Sequence, residues 1–277
     1  VTIGGTEHEE KFGGGIVEGL TAPRFDYAAA HSGPALEIGA HTRSLLMIHG
    51  EPGRAGYFVL LDEVQTDVPG TDVNVNLHPD SAQSTTNVSG TDYEWSIQHF
   101  GANPVQLTLF LATRPLVAQL LAGGLCAFDD NEYVGTYLRS SYLSDAAGQM
   151  NAVTLAVPHD ANHAKPALTR ISGGAQFSGA SVALGAGTID YILESKGVSP
   201  VVIGQAFFQG KAFYTRITPG GIGQYFVRQG RGFDDGAAQR TGFDSDAELS
   251  LFVRELEARV TSAGTTVVFH DPALGGN

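Results

Sequence analysis

The chain has 277 residues, 42% of them hydrophobic, and a formal net charge of −13 at pH 7. This hydrophobic share supports a packed core and excludes global disorder. The acidic balance argues against nucleic-acid binding, because no basic surface is available to neutralise phosphates. The only cysteine, Cys126, excludes an internal disulfide and a cysteine-based zinc site. It lies in an apolar run, which favours a buried structural thiol.

Two further classes are disfavoured by the order of the residues. No stretch reaches about 18 apolar residues, so no membrane-spanning helix is predicted. Val1 opens directly into polar, glycine-rich sequence, so no signal peptide is predicted at this position. We therefore expect a mature product, an excised domain or the ordered part of a longer chain.

Strand-like runs dominate from one end of the chain to the other. They are short, rich in aromatic and branched residues, and separated by glycine-rich turns. A Glu-Pro-Gly-Arg turn between the strand-like runs 43–50 and 55–64 predicts a hairpin. The predicted strands are residues 43–50, 55–64, 72–79, 92–100, 104–112, 150–158, 180–185, 188–195, 211–218, 223–230 and 265–271.

The segment 72–79 shows the pattern most clearly, because Val73, Val75 and Leu77 fall on one face of a strand. The polar segment 77–92 predicts one long loop. We expect residues 1–277 to form a single all-β domain, an antiparallel multi-stranded β-sandwich of about fifteen to twenty strands in two stacked sheets.

Helical signal is confined to two segments. Residues 114–124 predict a short helix ended by glycine, since Leu116, Leu120 and Leu121 share a helical face. Residues 246–260 have a helix-forming composition but also divide into two strands. We favour the strands, because the surrounding C-terminal sequence has β character.

Several short motifs occur in a fixed order along the chain. They are VTIGG (1–5), GGIVEG (14–19), FDYAAA (25–30), HTRSLLMI (41–48), YFVLLDEV (57–64), NVNLHPD (74–80), VTLAVPHDANHAKPALTRI (153–171) and TIDYILES (188–195). In this order they resemble the C-terminal β-sandwich domain of the heparinase II/III-like polysaccharide lyases. The resemblance covers about residues 1–195.

The resemblance implies a bacterial protein that is secreted, periplasmic or at the cell surface. It implies an acidic, uronic-acid polysaccharide as partner and β-elimination as the reaction. Family members place this domain after an (α/α) toroid, which supplies most catalytic residues, and no such set of long helices is predicted here. We therefore expect the chain to lack the toroid of its gene product and to be non-catalytic by itself. The alternatives are a stand-alone carbohydrate-binding or cell-surface module and a structural protein that self-assembles through strand edges.

β-Elimination requires a group that neutralises the uronate carboxylate, a base and an acid. His78 occupies the "LH" position of the resemblance and is the candidate catalytic residue; alternatively, it is a strand-end histidine bonded to backbone. Trp95, the only tryptophan, is a candidate for stacking on a sugar, although its alternating strand favours a place in the core.

Two polar runs are candidate ligand sites. Arg228 and Arg231 could bind a uronate or sulfate through two parallel hydrogen bonds, and the acidic pair that follows them offers oxygen ligands to calcium. The candidate metal ligands, for calcium or zinc, are His159, Asp160 and His163. A solvated loop is the alternative for both runs.

One carboxylate has a structural interpretation. Asp62 interrupts an apolar strand, and a buried carboxylate requires a partner. Arg43, which begins the neighbouring strand, is the predicted partner in an ion pair.

Overall fold

The structure is a computed structural model, and it describes residues 1–6, 9, 11, 13–78, 86–90, 94–99, 105–126, 132–174, 176–196, 201–203, 206–234, 243–254, 257–262 and 265–270. Within these ranges the chain forms 22 β-strands and one 3₁₀ turn, Gly33–Ala35. No helix in them is long and apolar enough to cross a membrane.

The strands in chain order are β1 (Thr2–Ile3), β2 (Gly15–Thr21), β3 (Phe25–His31), β4 (Gly39–Ile48), β5 (Tyr57–Thr66), β6 (Asp72–Leu77), β7 (Thr86–Gly90), β8 (Glu94–His99), β9 (Gln106–Leu111), β10 (Val117–Cys126), β11 (Glu132–Leu143), β12 (Gln149–His159), β13 (Ala167–Ser172), β14 (Phe177–Gly185), β15 (Thr188–Ser195), β16 (Val201–Ile203), β17 (Ala206–Gln209), β18 (Ala212–Thr218), β19 (Gly221–Asp234), β20 (Phe243–Arg254), β21 (Glu257–Ser262) and β22 (Thr265–His270).

These strands form three antiparallel sheets. The four-stranded sheet has the order β1-β6-β11-β10. The ten-stranded sheet has the order β22-β21-β2-β3-β4-β5-β12-β9-β8-β7. The eight-stranded sheet has the order β13-β14-β15-β18-β19-β17-β16, and β20 pairs with β19. The all-β prediction is confirmed, with three sheets where two were expected.

The ten-stranded sheet is the middle layer. Side chains alternate between the two faces of a strand, so β5 sends Leu61 to one face and Val64 to the other. Leu61 shares a core with Ile192 and Tyr214 of the eight-stranded sheet. Val64 shares a second core with Val73 of the four-stranded sheet. The two outer sheets therefore cover opposite faces of the middle one.

The predicted hairpin of β4 and β5 is confirmed over its full length, from Gly39 opposite Thr66 to Ile48 opposite Tyr57. Its turn follows from the local sequence. Pro52 fixes the first central position, Gly53 takes a φ of 78° that suits glycine, and the Arg54 amide donates to the Glu51 carbonyl at 2.8 Å.

Two sequence predictions are wrong. The helix expected over 114–124 is replaced by strand β10, because each residue from Val117 to Cys126 pairs with a residue of β11. The hydrogen bonds of this strand pair stabilise the segment more than a helix would, because two adjacent glycines lower its helix propensity. The loop expected over 77–92 contains strand β7, which pairs with β8. In 246–260 the favoured pair of strands is confirmed as β20 and β21.

Candidate functional site

The outer face of the four-stranded sheet carries a row of polar and aromatic side chains. In β6, Val73 and Val75 are buried against the middle sheet. The alternation therefore directs Asn74 and Asn76 outward. In β11, Leu138 is buried, and Arg139 lies opposite Asn76 in the register. Neighbouring strands thus place an asparagine and an arginine side by side on the outer face.

Arg139 is held in place by neutral groups. Its Nε donates to Asn76 Oδ1 at 3.2 Å, and its Nη2 donates to the Tyr137 hydroxyl at 3.1 Å. Its guanidinium carbon is 5.5 Å from the centroid of the Tyr137 ring. Among the described residues no carboxylate forms an ion pair with it. The cation is therefore oriented, and no carboxylate of the described ranges compensates its charge, which suits it to an anionic group.

His78 extends this row at the end of β6. Its ring is stacked on Tyr137, with centroids 4.9 Å apart and planes inclined by 20°. His78 is exposed and Tyr137 is half-buried. We name His78, Asn76, Tyr137 and Arg139 the outer-face cluster.

The outer-face cluster contains the group types that β-elimination uses. An arginine and an amide can bind a carboxylate, and an imidazole and a phenol can transfer protons. Asn76, Tyr137 and Arg139 belong to two adjacent strands and His78 directly follows one of them, so the sheet fixes their spacing.

Trp95 lies under this face rather than on it. It packs with Leu138 and Leu109 in the core between the four-stranded and the ten-stranded sheet. Its indole nitrogen is buried without a hydrogen-bond partner among the described residues. This position is that of a core residue, which the alternating strand favoured.

Arg228 lies elsewhere, between the ten-stranded and the eight-stranded sheet, and is 4% exposed. It donates to Glu18 at 2.9 Å and also to Glu63. Burial by itself would lower the pKa of Arg228, but Tyr27, Glu63 and Glu18 raise it overall. The guanidinium is thus already paired with two carboxylates. The side chain of Arg231 lies outside the described residues.

The segment with His159, Asp160 and His163 forms a turn. Asp160 Oδ1 accepts from the His163 amide at 2.7 Å and is 3.0 Å from His163 Nδ1. His159 Nε2 lies 3.0 Å from the Thr108 hydroxyl instead. No group of three metal-ligating side chains occurs within the described ranges. Asp160 therefore caps this turn, and the three residues do not converge.

The predicted ion pair of Arg43 and Asp62 is present. Arg43 Nε and Nη2 donate to the two carboxylate oxygens at 2.7 and 3.1 Å, and His41 Nε2 lies 2.7 Å from Oδ1. Burial would raise the pKa of Asp62, but the bond to His41 and the charge of Arg43 lower it overall. In the same strand Tyr57 is buried and Phe58 is half-buried. The side chain of Cys126 lies outside the described residues.

Sequence reasoning missed three members of the outer-face cluster. Tyr137 and Arg139 alternate along β11, a strand that was not predicted. Asn76 lies in a predicted strand, in which only the valine face was interpreted. The polar positions between Val73, Val75 and Leu77 are the signal that would have indicated it.

Searches of protein-family models and of curated proteins find no match for this chain. Among solved structures, the heparan sulfate lyase HepC from Pedobacter heparinus is similar over 65% of this chain and 28% of its own, at 14% identity and a TM-score of 0.49. Heparinase III is similar over 66% of this chain and 27% of its own, at 14% identity and a TM-score of 0.46. A mutant of HepC from the same organism is similar over 70% of this chain and 28% of its own, at 14% identity and a TM-score of 0.47. This chain thus spans less than a third of the length of each of these structures.

Proposed function

We propose that this chain is the β-sandwich portion of a polysaccharide lyase and that its outer-face cluster contacts an acidic polysaccharide. The chain binds without cleaving, and a toroid of the same gene product supplies the rest of the catalytic groups. A secreted, periplasmic or cell-surface location is part of this proposal, because the substrate is extracellular.

The observation that carries the proposal is that Arg139 bonds neutral groups and has no carboxylate partner in the part of the chain that the structure describes. A guanidinium held by Asn76 and Tyr137 keeps its Nη1 group outside these bonds. Such a group can donate to a uronate carboxylate at little reorganisation cost, because its position is already fixed. The net charge of −13 repels a polyanion at long range. Binding must therefore depend on local contacts such as this one.

His78 and Tyr137 are the groups of this chain that could serve an elimination. His78 is exposed and stacked, so its imidazole is oriented toward the solvent side of the sheet. In the complete enzyme we expect it to contribute to proton transfer opposite the toroid. The chain alone lacks that second wall, which is why we expect no turnover.

Affinity electrophoresis in gels containing alginate, heparan sulfate or ulvan tests the binding. Charge-assisted hydrogen bonds contribute about 1.5–3 kcal/mol, so Arg139→Ala should weaken binding about 10- to 100-fold. Arg24→Ala is the matched control, because its side chain is 60% exposed and bonds Glu51, which also bonds Arg216 of the eight-stranded sheet. An equal loss of polysaccharide affinity in both variants would mean that only the net charge matters, and it would refute the site.

The same polysaccharides test the expected lack of turnover. Unsaturated uronates absorb in the ultraviolet, and this signal should stay at the level of the buffer with the chain alone. A steady increase that His78→Ala abolishes would show that the sandwich is catalytic without a toroid. Failure of all three polysaccharides to bind would instead favour a structural, self-assembling protein.

A further inference from the structure

Two small hollows open side by side where the middle sheet faces one end of the eight-stranded sheet. Their volumes are about 240 and 190 Å³, and both are lined by Asn151 of β12 and by Lys196, which directly follows β15. The first hollow extends to Arg114 and Phe177, and the second extends to Lys211. Because they share two lining residues, one from each sheet, they are neighbours. We name the two hollows together the edge cleft.

The edge cleft crosses successive strands of the middle sheet. Its lining residues on this side come from the segment after β9 and from the adjacent strands β12, β5, β4 and β3, and they include Arg114, Asn151, Gln65, Thr42 and His31. Neighbouring strands are about 4.8 Å apart, so these four intervals span about 19 Å. Each hollow is smaller than the range of about 300–1,000 Å³ that drug-sized ligands occupy. This shape suits an extended chain of small units.

Three cations line the edge cleft. Lys196 and Lys211 have side chains that are 27% and 38% exposed, and Arg114 is exposed at the other end. Lys196 Nζ lies 3.0 Å from Asp145, so this lysine is paired within the fold. Lys211 Nζ lies 3.7 Å from Glu63, which is too far for a hydrogen bond. Lys211 can therefore bind an anion from solvent without breaking a direct bond to Glu63.

The carboxyl groups of this lining are less accessible than the cations. The Glu63 side chain is 17% exposed and accepts a bond from Arg228. Glu194 is 1% exposed and lies below the surface of the cleft. Burial raises the pKa of Glu194 well above its usual value, so it stays neutral over a wider pH range than an ordinary glutamate. The exposed charge along the described lining is therefore mainly positive, although the chain as a whole carries −13.

Amides and one aromatic ring lie beside these charges. Gln65 Nε2 donates to the Ala147 carbonyl at 2.9 Å, and Asn151 Nδ2 donates to the Ser195 carbonyl at 3.5 Å. The carboxamide oxygens take no part in these two bonds, so they can accept from the hydroxyls of a ligand. The Phe177 ring offers a flat apolar surface. This combination matches a sugar ring, which has hydroxyls at its edge and apolar faces.

We propose that the edge cleft binds a linear acidic oligosaccharide, with one carboxylate on Lys211, another on Arg114 and the chain between them passing over Lys196. Each hollow then receives one sugar ring. The cleft adds a second binding site for the class of ligand that we propose for the outer face. It depends on Lys211 and Arg114 and not on Arg139, so either site can fail while the other holds.

Saturation-transfer difference NMR titrations test the proposal with a tetramer of galacturonic acid. The titrated chain is the Arg139→Ala variant, in which the outer face no longer contributes. We expect a dissociation constant of about 1 mM or lower. The same tetramer with its carboxyl groups reduced should bind at least about tenfold more weakly, because it cannot form charge-assisted bonds.

Lys211→Gln and Arg114→Gln, each added to this variant, should weaken binding of the acidic tetramer at least about fivefold. The matched control is Arg54→Gln. It removes the same charge from the β4–β5 turn, whereas Thr42 and Gln65 place the cleft near the other end of this hairpin. Arg54→Gln should leave the affinity unchanged.

Four outcomes would overturn the proposal. They are absence of binding by the acidic tetramer to a folded chain, equal affinity for the reduced tetramer, equal losses in Lys211→Gln and Arg54→Gln, and a tetraglutamate peptide that binds as tightly as the saccharide. The last would assign the cleft to an acidic peptide. None of them bears on the loss of polysaccharide binding that Arg139→Ala causes in the parent chain, so failure of the cleft and failure of the outer face are distinguishable.

Discussion

Two arginines in this molecule show how the partner of a cation decides its role. Arg228 lies between two sheets, is 4% exposed and bonds two carboxylates. Arg139 lies on an accessible face and bonds a neutral amide and a neutral hydroxyl. The first charge is neutralised within the fold and joins two layers. The second is oriented by neutral groups and has no carboxylate partner among the described residues, so it can bind an anion from outside.

The interface between the ten-stranded and the eight-stranded sheet has a second arginine of the Arg228 kind. Arg216 donates to both oxygens of Asp190, at 2.7 and 2.9 Å, and to Glu51 at 2.7 Å. Tyr57 of the opposite sheet donates to Asp190 at 2.6 Å. Burial alone would lower the pKa of Arg216, but the bond to Asp190 raises it overall. The network therefore connects the two layers through buried charge.

The largest expected effect follows from breaking this network. Arg216→Ala leaves the Asp190 carboxylate buried without its cation, which costs about 3–5 kcal/mol. Urea unfolding should show this loss, whereas Arg139→Ala should change the free energy of unfolding by less than about 1 kcal/mol. The double variant Asp190→Asn with Arg216→Met should recover part of the loss. Equal destabilisation by the two single variants would show that Arg139 is as important for stability as the buried Arg216.

A second change gives the accessible Arg139 a carboxylate partner, as the buried Arg228 already has. Asn76→Asp gives Arg139 a carboxylate partner at its present bond of 3.2 Å. We expect polysaccharide affinity to fall about 10- to 100-fold, since the anion must now displace an internal one. Asn74→Asp is the control, because it adds the same charge on the same face but bonds Ser141 and Thr2. A similar loss in both would mean that only the added charge matters.

Glu194 is a buried acid, in contrast to the accessible Arg139, and its burial affects its pKa. Burial raises its pKa well above the usual 4.5, and Glu63 and Asp62 raise it further, while Arg228 and Asn151 oppose them. A group with a raised pKa contributes stability that is present at low pH and is lost as the pH rises through its folded pKa. Glu194→Gln stays neutral, so its stability relative to the parent should increase between pH 5 and pH 8.

We expect this relative gain to reach about 1 kcal/mol. Unfolding by urea at several pH values measures it. The range avoids Asp62, whose lowered pKa makes its contribution disappear only at acidic pH. A difference between Glu194→Gln and the parent that does not vary with pH would mean that Glu194 is ionised throughout.

The smallest expected effect concerns the hydroxyl that orients Arg139. Tyr137→Phe removes one hydrogen bond, of about 0.5–1.5 kcal/mol, and keeps the ring that stacks on His78. Polysaccharide affinity should fall about two- to tenfold, measured by the same electrophoresis. Tyr191→Phe in the eight-stranded sheet should have no effect. Unchanged affinity in Tyr137→Phe would show that Asn76 alone orients the arginine.

Local patterns predicted much of the fold but little of the site. The alternation of Val73 and Val75 correctly indicated the buried face of β6. The position of Asp62 in an apolar strand correctly indicated a buried pair with Arg43, because adjacent strands of a hairpin have a fixed register. The helix prediction for 114–124 was wrong because it depended on the spacing of Leu116, Leu120 and Leu121. The partner strand β11 has a weaker alternation of apolar residues and was not predicted.

The amino-acid sequence by itself determined an all-β chain, the hairpin of β4 and β5 and the face of β6 that is buried. These properties depend on neighbours a few positions apart, where alternation and turn chemistry act. The tertiary structure decided which strands lie side by side and which faces remain open. It buried Arg228, whose sequence run is polar, and placed Arg139 beside Asn76, because pairing between distant strands depends on how three layers bury their apolar faces together.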